Sequence, residues 1–98
     1  MKLSESCDKA ADLISDPQRW IRGRTFDHAS GRMCAVGALE TATPDFWGLQ
    51  ELKRLAGLVG HRRYPGLHTL AGVNDNYGRL AAIKVLRETA EMLRRWKF

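Results

Sequence analysis

Residues 79–96, RLAAIKVLRETAEMLRRW, decide the fold class. Ala82, Ile83, Leu86, Ala90 and Leu93 recur at three- and four-residue spacing, with Lys84, Arg87, Glu88, Glu91 and Arg95 between them. A period near 3.6 lays the apolar set along one stripe of an α-helix and leaves the charges in water. Glu91 and Arg95 stand in the acid-first i,i+4 order that supports an exposed helix by roughly 0.2–0.5 kcal/mol. Val85 and Met92 fall outside the stripe, and apolar residues beyond one face predict a second surface to cover, which points to a homodimer.

The same period recurs upstream. Leu3, Cys7, Ala10, Ala11 and Ile14 predict a helix over about Glu5 to Ser15, with Ser4 as its N-cap. Asp16-Pro17 ends it and starts a short turn carrying Trp20 and Ile21, because proline fits a first helical position and not an interior one. Thr25-Phe26 reads as extended, and Asp27-His28-Ala29-Ser30-Gly31 supplies turn chemistry, which together predict one short hairpin near residues 24–34. Cys34 to Ala42 is a run of small residues suited to a close-packed helix at the centre of the fold. Thr43-Pro44-Asp45 predicts the start of a third helix, with a hydroxyl cap and proline at its first position, running to about Val59. Leu49, Leu52, Leu55, Ala56 and Val59 face inward there, and Gly60 is the expected left-handed stop. His61 to Gly78 reads as irregular, with a helical turn at Leu67 to Ala71.

The fold class is therefore mainly α: a compact single domain over residues 1–98, of about four helices, with the hairpin as its only β element. Leu13, Ile14, Val36, Leu39, Leu52, Leu55, Ile83, Leu86 and Leu93 are the predicted core.

Composition agrees with that size. A chain of 98 residues, 44% apolar and 28% charged, is long enough for one core and too short for two. Its longest apolar run, Cys34 to Leu39, is far below the roughly 20 residues that cross a bilayer, and Met1 to Ser6 lacks a signal peptide's apolar region. A cytoplasmic location is expected, in the host bacterium if the chain is phage-encoded. Cys7 and Cys34 then read as buried thiols without CxxC spacing. A net charge of +5 and a pI near 9.7 favour anionic partners, nucleic acid or a nucleotide.

Five short motifs run through the chain: Ala10-Ala11-Asp12-Leu13-Ile14, Trp20-Ile21-Arg22-Gly23, Cys34-Ala35-Val36-Gly37-Ala38, Asn74-Asp75, and the amphipathic Ile83-Lys84-Val85-Leu86. In this order and spacing the chain resembles DUF6197, a family of small actinobacterial and actinophage proteins of unknown function. The resemblance implies an origin in a phage or an integrated element and supplies no reaction.

The candidate ligand-binding residues are Arg22, Arg24, Arg62, Arg63, Tyr64, Asn74 and Asp75. Basic residues cluster around the Trp20 to Cys34 loop (Arg19, Arg22, Arg24, Arg32), the end of the third helix (Lys53, Arg54, His61, Arg62, Arg63) and the last residues (Arg94, Arg95, Lys97). Tyr64, Trp96 and Phe98 lie beside the second and third clusters, and cations next to stacking surfaces suit a nucleotide base or a single strand. Ordinary solvated charge is the alternative. Asn74-Asp75-Asn76 reads first as helix-capping or turn chemistry and second as a ligand contact.

Cys34 with His28, His61 or His68 and Asn74 makes a papain-like set that only geometry can validate. No pair of residues has zinc-ligand spacing, and no cofactor is called for. The leading expectation is a phage or prophage accessory protein that binds, without catalysis, a host protein or an anionic ligand. The exposed side of the last helix and its Trp96-Lys97-Phe98 end are the surface for a host macromolecule. A protein sequestering a nucleotide or nucleic acid through loop arginines is the alternative, and a Cys34-dependent enzyme is the third.

Overall fold

The computed structural model describes residues 2–98. The elements are α1 (Leu3–Leu13), a 3-10 turn (Pro17–Arg19), β1 (Phe26–Asp27), β2 (Arg32–Met33), α2 (Ala35–Ala42), α3 (Phe46–Arg63), α4 (Leu70–Tyr77) and α5 (Arg79–Arg95). The described residues thus hold five α-helices, mainly α as expected, with one two-stranded antiparallel hairpin pairing Phe26 with Met33 and Asp27 with Arg32. Asp27 shapes the hairpin turn by accepting from the Ala29 amide and the Ser30 hydroxyl, and Gly31 takes the positive φ that the turn requires.

α5 packs along α1 on one side and against α3 and α4 on the other. That position explains Val85. It is fully buried, because a helix flanked on two sides needs an apolar arc wider than one stripe, and so it offers no surface for a dimer. Met92 is half-buried. Leu39, Leu52, Leu55, Leu86, Leu93 and Ile14 are buried in one cluster as predicted, whereas Leu13, Val36 and Ile83 are only half-buried at its edge. α2 lies at the centre, where Gly37 allows close contact: a Cβ there would sit 2.4 Å from the Thr25 carbonyl oxygen.

Several boundaries differ from the sequence reading for local reasons. α1 begins at Leu3, so Ser4 is not its cap but a buried first-turn residue whose amide donates to the Phe98 carbonyl. Asp45, and not Thr43, caps α3 by accepting from the Gly48 amide at 2.7 Å, leaving the Thr43 hydroxyl buried without a partner. Gly60 does not stop α3. It permits the approach of Val73, whose Cγ2 lies 2.9 Å from where a Cβ would be, and the helix runs on to Arg63. The segment expected to be irregular contains α4, capped by the Thr69 hydroxyl, which accepts from the Gly72 amide at 3.0 Å. Glu91 pairs with Arg94 at 2.7 Å and not with Arg95.

Charges tie α5 to α1. Arg87 bridges Asp8 and Asp12, and Arg94 reaches Asp8 at 2.6 Å. Arg79 donates to the carbonyls of Ile14 and Ser15, placing a cation on the negative end of α1.

Candidate functional site

Three of the five motifs, Trp20 to Gly23, Cys34 to Ala38 and Asn74-Asp75, meet at one junction. Asn74, fully buried on α4, uses its whole side chain there. Its Oδ1 accepts from the Trp20 indole at 2.7 Å and from the Ala35 amide at 3.0 Å, and its Nδ2 donates to the Ile21 carbonyl and to Asp75 Oδ1. Asp75 in turn accepts from the Gly23 amide at 2.8 Å. Asn74 therefore caps α2 from a different helix, and it does so from inside α4, not as a residue preceding the last helix. With every donor and acceptor engaged, it has no capacity left for a ligand.

Beside this junction a hollow of about 160 Å³ is lined by Gly23, Arg24, Thr25, Cys34, Val36, Ala71 and Asp75. Arg22 lies over the Trp20 ring, 5.6 Å from its centroid.

Arg62 and Arg63 sit on the last turn of α3 and not in a loop. Arg63 is held by Glu88 of α5 through two hydrogen bonds of 2.8 and 3.1 Å. Tyr64 stacks on Tyr77 at 4.1 Å, and Tyr77 is more than half exposed.

No hydrogen bond joins a histidine to Cys34 among the described residues. His61 and His68 stack on each other at 4.4 Å, and His28 stacks on Phe26. Cys34 is the cap residue of α2 and is almost fully buried. Cys7 is buried too. Burial, with the negative charge of Asp8 adding to it and Arg94 opposing, pushes its thiol pKa up to about 12.

A second feature is an apolar groove between α3 and the end of α5. Two adjoining hollows, of about 300 and 410 Å³, share Leu55, Leu58 and Trp96 in their walls; Leu3, Leu93, Phe98 and the ion-paired Glu51 and Arg54 complete the first, and Val59, His61, Arg62 and Met92 the second. Leu58, Trp96 and Phe98 are 52%, 54% and 56% exposed. The turn after α5 builds one wall. Phe98 N–H donates to the Leu93 carbonyl at 2.9 Å and Lys97 N–H to the Arg94 carbonyl at 3.1 Å, a Schellman pairing that requires the positive φ of Lys97. The motif brings Phe98 back beside Leu93, and its carbonyl meets the Ser4 amide of α1. The sequence marks Trp96 to Phe98 as a surface and Leu3 as part of the α1 stripe; Leu58 is a lone leucine off the inward stripe of its helix.

Among the described residues no group of three or more His, Cys, Asp or Glu is placed to hold a metal ion, and no helix is long and apolar enough to cross a membrane. No curated protein and no solved structure matches the chain significantly. Residues 1–92 match the family of unknown function DUF6197; all five motifs lie inside that span, Trp96 and Phe98 lie beyond it, and the chain belongs to this family.

Proposed function

We propose that this chain is a protein-binding module without catalysis, an accessory protein of phage or prophage origin acting in the bacterial cytoplasm, and that it captures a host protein in the α3–α5 groove. The observation that carries this reading is the contiguity of Leu58, Trp96 and Phe98, three large apolar side chains each more than half exposed around two joined hollows. Scattered exposed apolar residues are ordinary, but a continuous patch rimmed by charge marks a contact surface. The test is retention of partners from host lysate by wild type and by Leu58→Glu, with mass spectrometry of both proteins and small molecules. A host protein retained by wild type and lost from the folded variant supports the reading. Partners retained equally by both would overturn it.

A second reading, an anionic ligand such as a nucleotide, is favoured by the hollow at Arg24, with Arg22 and its Trp20 platform next to it. Asn74 and Asp75 act in that case as the frame of the hollow, and Arg62, Arg63 and Tyr64 belong to the far end of α3.

A further inference from the structure

Resting on the groove reading above, we propose that the occupant of the α3–α5 groove is an amphipathic α-helix with acidic residues flanking its apolar stripe. The first argument is shape. Glu51, Arg54, Leu58 and Arg62 follow the i, i+3, i+7, i+11 spacing of one face of α3 and all line the two hollows, so the groove runs along that face. From Glu51 to Arg62 is eleven residues of helix, about 16 Å at 1.5 Å per residue, the length of roughly three helical turns. An elongated apolar trough between two helices takes a third helix by its i, i+3, i+4 and i+7 side chains.

The second argument is charge. Every acid on this face is already matched inside the chain: Glu51 with Arg54, Glu88 with Arg63, and Glu91 with Arg94. Arg62 and Arg95, which line one small hollow at the groove edge together with the paired Glu88 and Glu91, have no ion pair among the described residues, and neither has Lys97 between Trp96 and Phe98. The rim is therefore positive where it is free to interact, and complementary acids on the partner would set its orientation and speed its encounter. A second copy of the chain fits poorly, since each copy carries +5.

Three synthetic 18-residue helical peptides test this by calorimetric titration: one with a Leu/Phe stripe flanked by Glu, one with the same stripe flanked by Lys, and one with Glu flanks and a scrambled stripe. The expected result is binding of the first, at least tenfold weaker binding of the second, and none of the third. Arg62→Gln with Arg95→Gln should weaken the first peptide about fivefold or more, and Leu58→Glu should abolish its binding, with unchanged circular dichroism in both. Equal or tighter binding of the Lys-flanked peptide overturns the acidic partner while leaving the groove as a binding site. Failure of all three, with sedimentation showing a dimer that Leu58→Glu dissociates, makes the groove a self-interface and overturns the proposal. Failure of all three by a monomer removes the proposal and the groove reading together.

Discussion

The Trp20 indole donates to Asn74 Oδ1 at 2.7 Å, joining positions 54 apart in the sequence. Through this bond and its companions at Ala35, Ile21 and Asp75, one amide side chain couples the segment before the hairpin, the start of α2 and the middle of α4. Three of the five motifs, Trp20 to Gly23, Cys34 to Ala38 and Asn74-Asp75, thus meet in one structural joint.

Asn74→Ala should be severely destabilising. It strands the fully buried Ala35 amide and the half-buried Trp20 indole, and each unsatisfied buried group costs about 1–3 kcal/mol. We expect a loss of roughly 2–5 kcal/mol in urea unfolding. A variant with the wild-type midpoint would show that the joint contributes nothing.

Gly37→Ala tests close packing at the centre. Helix propensity alone favours alanine by about 1 kcal/mol. The new Cβ, however, would stand 2.4 Å from the Thr25 carbonyl oxygen, a backbone atom that cannot swing away. The clash should win, lowering the melting temperature and shifting the amide resonances of the hairpin.

Acid should loosen the α1–α5 seam. Burial pulls the Asp8 pKa upward, but hydrogen bonds and charge from Arg94 and Arg87 outweigh it and hold the carboxyl below the ordinary aspartate range. A folded-state pKa below the unfolded one contributes stability that is complete above the unfolded value, and that stability is lost as pH falls towards the folded value. Melting temperature should therefore decline below about pH 5, and Arg87→Gln with Arg94→Gln should flatten that decline. An unchanged slope in the double variant would exclude Asp8 as its source.

Cys34→Ser should leave partner binding intact while lowering stability slightly, because the thiol is packed at the start of α2 and no histidine contacts it among the described residues. Loss of biological activity at an unchanged melting temperature would instead promote a cysteine-dependent enzyme. Cys7, with its pKa near 12, should react with a disulfide reagent only as fast as the domain opens.

For the anionic reading, Arg22→Gln with Arg24→Gln should weaken binding of ATP or of single-stranded DNA without unfolding the domain. A polymer should show steep salt dependence through counterion release, and a nucleotide in the Arg24 hollow a shallow one. Retention of full affinity by the double variant removes this reading.

Periodicity was enough to assign α1, α3 and α5 and to place Leu52, Leu86 and Leu93 in the core, because a helix that buries one face writes that face into its sequence every 3.6 residues; α2 was legible from its run of small residues. α4 escaped because only eight residues carry it, and Leu70, Val73 and Asn74 look like a polar loop until Asn74 is seen to be buried. Caps are short-range, yet here several partners are remote: Phe98 meets the start of α1, and Asn74 the start of α2. Such bonds depend on how the helices pack, which no local pattern encodes.

Charge was equally divided between the two levels. The excess of arginine was plain from composition, but which arginines are free was not, since Arg63, Arg87 and Arg94 find acids on another helix while Arg62 and Arg95 find none among the described residues. By itself the sequence determined a mainly helical fold and a positive balance, both of which follow from local spacing and counting. The tertiary structure alone decided that three of the motifs form a joint and that Leu58, Trp96 and Phe98 share a groove, because both depend on side chains from separate helices arriving at the same place.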